Sequence, residues 1–183
     1  MKEHLPLLYF AYGSNMHPRR MAERVKNAEL VGVGSLSGHA LRFHKRGQDG
    51  SGKCNALFTG DGRNAINGVV YAVDREGRRN LDIAEGGYRA RDVCVLIKDS
   101  RSTCFTYTAE PGMIDGSLRP FAWYKQYVLD GGAHHGLPAT YMQAISDIQT
   151  VSDPDEVRHA MHLSCLHYQH AVSQESVRLV PSK

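Results

Sequence analysis

Leu7-Leu8-Tyr9-Phe10-Ala11-Tyr12-Gly13-Ser14-Asn15-Met16 is the stretch on which the reading of this chain turns. Six apolar or aromatic residues run without a polar interruption and stop at Gly13, the pattern of a strand covered on both faces. Pro18 then sits where the first turn of a helix accepts proline, and Met21, Ala22 and Val25 fall on one helical face. The order is strand, tight loop, short helix. A loop so placed can turn its backbone N–H groups toward an anion, and Gly13 permits close approach.

Working outward, Glu29 to Leu36, Ala40 to Phe43, Asn55 to Thr59 and Ile66 to Val73 read as further strands, with Gly-rich turns at 47–52 and 60–62. Asp74 is expected to cap a helix that directs Leu81 and Ile83 toward a core and stops at Gly86-Gly87. Strands resume at Arg91 to Lys98 and Cys104 to Thr108. Beyond Pro111-Gly112 the period becomes helical: Phe121, Tyr124, Val128 and Leu129 share a face until Gly131-Gly132 is expected to break it. Pro138 starts another helix containing Tyr141, Ala144, Ile145 and Ile148. A last helix is expected from Asp153 to about Val172, with a polar tail over 173–183. Short strands first and helices last predict an α+β fold in which the strands curl into a barrel.

The chain has 183 residues, 42% of them hydrophobic, enough for one globular core. Its formal net charge of +3 and pI near 8.7 fall short of the basic clustering expected of nucleic-acid binders, whose domains exceed pI ~9. Cys54, Cys94, Cys104 and Cys165 form no C-x-x-C pair, which argues for reduced thiols rather than a zinc ribbon or disulfide framework. No run approaches the ~20 apolar residues of a membrane span, and the N-terminal apolar run is too short for a signal peptide. A soluble, cytoplasmic chain is the expectation.

Four patterns carry a second meaning. Gly47 to Cys54 nearly spells a phosphate-binding loop, but Cys54 stands where a hydroxyl would hold Mg²⁺, and strand-like residues follow instead of a helix. The segment reads as a hairpin turn. His159, His162, Cys165, His167 and His170 crowd one helix without a second cluster to close a metal site. His134-His135 reads as a cap on the carbonyls of a helix end. Asp82 and Glu85, three apart, are an unremarkable acidic pair until their place is considered: Glu85 stands at the edge of an apolar segment, just before Gly86-Gly87, where partial burial is possible.

Four blocks in order resemble the γ-glutamylcyclotransferase-like family, which includes the plant avirulence-induced proteins and the γ-glutamylamine cyclotransferases. They are Tyr9 to Met16, Asn67-Gly68-Val69-Val70-Tyr71, Leu81-Asp82-Ile83-Ala84-Glu85-Gly86, and Tyr124-Lys125 continuing to Gly136-Leu137-Pro138-Ala139-Thr140-Tyr141. The resemblance implies a small mixed β-barrel with helices packed around it, over residues 1–152, and leaves 153–183 as a helical extension and tail packed on the same domain. It places the proton-transfer carboxylate at Glu85. It places the substrate loop at Tyr9, Phe10, Ala11, Tyr12, Gly13 and Ser14, with Asn15 completing the signature, and substrate-contacting tyrosines at Tyr124 and Tyr107. Ile83 and Ala84 depart from polar positions in some animal members. Asn15 separates the chain from the glutathione-specific branch, whose loop reads Tyr-Gly-Ser-Leu.

The activity implied is attack of a γ-glutamyl donor's own α-amine on its γ-carbonyl, giving 5-oxoproline and a released amine, without metal or cofactor. Alternatives are the same chemistry on a γ-glutamyl-amine or on a larger γ-glutamyl carrier, and a non-catalytic pocket for an acidic metabolite. A small molecule is the expected partner, with neither nucleic acid nor membrane, for a monomer or homodimer.

Overall fold

The computed structural model describes residues 5–166. Seven strands follow in chain order: β1 (Leu7–Ala11), β2 (Glu29–Ser37), β3 (His39–Arg46), β4 (Gly52–Phe58), β5 (Ala65–Val73), β6 (Tyr88–Ile97) and β7 (Ser100–Ala109). The helices are α1 (Pro18–Arg24), α2 (Arg75–Ala84), α3 (Ala122–His134) and α4 (Ala139–Ser146). A further helix, α5, occupies 156–166.

Five strands close a barrel in the order β1-β5-β2-β6-β7. β1 runs antiparallel to β5, with Tyr9 opposite Tyr71 and Ala11 opposite Val69, and parallel to β7, with Tyr9 beside Phe105. This is the mixed barrel the sequence implied, and closure leaves these five strands without a free edge. β1 is the central strand its composition required: Tyr9, Phe10 and Ala11 are all buried. Gly68 explains how β5 packs so tightly on it, since a Cβ there would lie 2.4 Å from the Ala11 carbonyl oxygen and 2.8 Å from the Phe10 ring. β3 and β4 stand apart as a hairpin whose turn is the segment that mimics a phosphate loop.

Two helices differ from expectation. α2 is capped as read, the Asp74 carboxylate accepting the Gly77 N–H at 2.7 Å, and Leu81 is fully buried. Ile83, however, is 82% exposed. Two residues on from Leu81 means a rotation of about 200°, which turns it to the outer face. α3 runs straight through Gly131-Gly132 instead of breaking there. A Cβ at Gly131 would lie 2.6 Å from the His17 backbone nitrogen, so the glycine serves close packing of the helix on the segment after β1.

His135 is also reassigned. Its Nε2 lies 3.0 Å from the Met16 carbonyl oxygen, across the fold, and 3.2 Å from the Tyr71 hydroxyl. Beyond α4, Asp153 is buried and accepts from the Trp123 indole N–H at 2.8 Å and from Arg158 Nε at 2.8 Å. Among the described residues no helix is long and apolar enough to cross a membrane. The tail expected over 173–183 lies outside the described residues.

Candidate active site

β1 delivers the chain into a single 3-10 turn, Ser14–Met16, whose Met16 N–H bonds the Gly13 carbonyl at 3.0 Å. α3 presses on this turn through Gly131, while His135 and Tyr71 hold the Met16 carbonyl. Clamped from both sides, the turn forms one wall of a cleft of about 460 Å³. The other walls come from the β3–β4 hairpin, the end of α2, the aromatic face of α3 and residues of α5.

Glu85 enters from the end of α2. It occupies the C-cap, and Gly87 follows with φ +76°, a left-handed conformation that glycine adopts without strain and that turns the chain into β6. The Glu85 side chain is 14% exposed, and its Oε1 accepts Arg24 Nη1 at 2.6 Å and Asn15 Nδ2 at 2.9 Å. Asn15 also donates to the Tyr9 hydroxyl at 2.9 Å, and its Oδ1 accepts the same Arg24 nitrogen at 2.6 Å. Buried Asn15 thus ties the loop, the first strand and the carboxylate into one network rather than capping a helix.

The tyrosines are used unequally. Burial raises the Tyr9 hydroxyl above its ordinary pKa, and the Glu85 charge adds to it. The Tyr12 hydroxyl donates to the Tyr107 carbonyl, fastening the loop to β7. Tyr107 donates to Asp82 at 2.6 Å, and Asp82 also pairs with Arg78 on its own helix. The acidic pair of the sequence is therefore split: Asp82 positions a tyrosine, and Glu85 faces the cleft. Tyr124 accepts the Cys54 N–H at 3.1 Å and also hydrogen-bonds the Cys54 side chain, which seats its hydroxyl between β4 and the cleft. A Cβ at Gly13 would lie 3.2 Å from Cys54 Cβ and 3.5 Å from the Tyr124 hydroxyl, so a side chain there would crowd the Cys54 side chain. Burial pushes the Cys54 thiol up to about 12, so it is a packing group and not a thiolate nucleophile.

Tyr9, Tyr12, Gly13, Ser14, Asn15, Glu85, Tyr107 and Tyr124 all line this one cleft. Phe10 and Ala11 do not: both are fully buried in the barrel, and Phe10 contributes its carbonyl to the Thr106 hydroxyl at 2.7 Å. Alternation turns Phe10 to the face opposite Tyr9, while Ala11, on the Tyr9 face, is sealed in the barrel, so a continuous motif does not make a continuous lining.

Sequence reading missed the cations. Arg20, Arg24, Lys45, Lys53 and Arg158 line the cleft. Burial lowers the Lys53 ammonium, countered by Asp49 2.6 Å away. Asp49 is itself held below the ordinary carboxylate range: burial works against its charge, but Lys53 and Ser51 outweigh it. The Gly47 to Cys54 segment carried the only hint of Lys53, under the wrong motif. Of the His-rich helix, His162 stacks on Trp123 with centroids 3.8 Å apart. Among the described residues no three His, Cys, Asp or Glu side chains are grouped to hold a metal; His167 and His170 lie outside them.

A family profile described as gamma-glutamyl cyclotransferase, AIG2-like, matches residues 9–126. The chain is 27% identical over 148 residues to a gamma-glutamylcyclotransferase of Homo sapiens, with 78% of each chain covered. It is 28% identical over 148 residues to one of Mus musculus, again with 78% of each covered. Among solved structures, one titled gamma-glutamyl cyclotransferase superposes with a TM-score of 0.73 at 24% identity, covering 84% of this chain and 96% of that one. The matched stretch carries the loop after β1, Glu85, Tyr107 and Tyr124 together, and by that match the chain belongs to the gamma-glutamyl cyclotransferase, AIG2-like, family.

Proposed function

We propose that this enzyme cyclises a small γ-glutamyl compound to 5-oxoproline and a free amine, with Glu85 as the proton carrier. The observation that supports this most is the Glu85 carboxylate, largely buried, at 2.9 Å from Asn15 of the loop that begins the cleft.

Both reactants lie within one donor molecule. The cleft must fold the glutamyl chain until nitrogen and carbonyl carbon approach to ~3–3.5 Å, an orientation worth up to about 7–11 kcal/mol in favourable systems. A loop clamped by Gly131, His135 and Tyr71 is rigid enough for that task. The donor's α-ammonium gives a proton to Glu85, the freed amine attacks the γ-carbonyl carbon, and the new C–N bond closes a five-membered ring. The same carboxyl then protonates the leaving nitrogen as the old C–N bond breaks, and the second proton of the ring nitrogen passes on to the released amine, which departs as an ammonium beside the neutral lactam. Arg24 and Asn15 keep the carboxylate aimed, with its charge compensated, before and after. Gly13, Ser14 and Tyr124 line the same cleft, and the backbone N–H groups of the loop are the donors offered to the carbonyl oxygen as charge develops on it.

Every residue invoked comes from one chain, so the chemistry is available to a monomer or a homodimer, and the expected setting is the cytoplasm. Incubating the protein with several γ-glutamyl amino acids and amides, and measuring 5-oxoproline, tests the reading. Glu85→Gln should lower kcat by about 10²–10⁴. Product from no donor would leave a pocket that only binds an acidic metabolite; an unimpaired Glu85→Gln variant would remove the carboxylate from its role.

A further inference from the structure

Of the five cations that line the cleft, three pair with carboxylates, Lys45 donates to the Gly86 carbonyl, and among the described residues Arg20 pairs with no carboxylate. Arg24 pairs with Glu85, Lys53 with Asp49 and Arg158 with Asp153. Arg20, on α1, lies 4.7 Å over the Tyr127 ring, and its buried Nε has no hydrogen-bond partner. Among the described residues no carboxylate lies within ion-pair distance of it. An N–H shielded from water and left unpaired costs stability, and a polar group in that condition beside an open cleft points to a ligand that satisfies it.

The surroundings suit an anion. Lys53 Nζ sits 4.5 Å from the Tyr124 ring and 4.9 Å from Trp123, and His162 Nδ1 lies 3.4 Å from the Tyr127 hydroxyl. Burial, and then the neighbouring Arg20, Lys53 and Arg158, hold His162 below its ordinary pKa. Across the whole cleft five cationic side chains face Asp49 and Glu85, with Asp153 and Asp155 behind Arg158. One positive charge is left over. A bound γ-glutamyl unit cannot cancel it, because its α-carboxylate and α-ammonium balance, and the proton passed to Glu85 leaves the total unchanged.

We propose that Arg20, Lys53 and His162 form a leaving-group subsite for an acidic amine, so that donors whose departing amino acid carries two carboxylates are preferred. This rests on the cyclotransferase reading of the same cleft. His162 and Arg158 belong to α5, beyond the 9–126 stretch that matches the family model, while Arg20 and Lys53 lie within it.

The test measures kcat/KM of the full chain for γ-glutamyl-aspartate, γ-glutamyl-alanine and γ-glutamyl-butylamide. The aspartate donor should exceed the butylamide by about tenfold or more, the scale of one charge-assisted hydrogen bond, and added salt should raise its KM more steeply. Arg20→Gln should pull the ratio toward one. Equal kcat/KM for the three donors, or an equal loss on all of them in Arg20→Gln, overturns the subsite.

Calorimetry of free aspartate against alanine, with 5-oxoproline saturating the glutamyl position, reads the same preference in the native protein without turnover. Aspartate tighter by about tenfold is expected, and no difference overturns the subsite even where product forms. Absence of 5-oxoproline from every donor would instead sink the cyclotransferase reading.

Discussion

The two ends of the cleft are built on different plans. At one end Glu85, Asn15, Arg24 and Tyr9 satisfy one another within hydrogen-bond distance, on a loop bolted to the barrel and to α3. At the other end Arg20, Lys53, Trp123 and His162 come from four separate elements, and the Arg20 Nε is left unpaired. A network complete in the free protein is preorganised for chemistry, whereas an incomplete one is completed by what binds. The contrast assigns rate to the first end and selectivity to the second.

After Glu85→Gln, the sharpest way to break that contrast is Asn15→Ala. It removes the link from the loop to both Tyr9 and Glu85, and a misplacement of ~1 Å costs about 10²-fold in rate. The loss should appear in kcat with KM changed less; a change confined to KM would move Asn15 to the binding side of the comparison.

Gly131→Ala tests the scaffold beneath both ends. Its Cβ would meet His17 and Met16 backbone at 2.6 and 2.7 Å, and overpacking of about 1–3 kcal/mol exceeds the ~1 kcal/mol gained in helix propensity. A lower Tm is expected, together with lost activity from the displaced turn. An unchanged or raised Tm would show that α3 does not fix the loop.

The smallest effect concerns α5. Arg158, with help from the Asp155 N–H and Trp123, holds Asp153 well below the usual carboxylate range. A folded-state pKa below the unfolded one contributes stability that is complete above the unfolded value near ~4 and lost as pH falls below it. Asp153→Asn should therefore lower Tm at pH 7 by roughly 2–4 °C, with the gap narrowing toward pH 3. A gap that persists in acid would mean the side chain acts through packing alone.

Several of these residues could be anticipated. The apolar run from Leu7 to Tyr12 requires a doubly covered strand, Asp74 requires a helix start, and Glu85 before two glycines requires a carboxylate at a helix end. Each depends on neighbours in the chain, and local stereochemistry is legible locally. Ile83 and Gly131 misled for the same reason: helix phase and the need for close approach are set by what lies opposite.

The sequence by itself determined the strand, the loop that leaves it and the carboxylate that serves it, since residue type and spacing dictate each. Only the tertiary structure decided that Arg24 would meet Glu85 across 61 positions, that Asp82 would turn to Tyr107, and that Arg20, Lys53 and His162 would share one wall. Charges far apart in the chain attract or repel according to distance in space, and that distance exists only once the barrel has closed and the helices have packed around it.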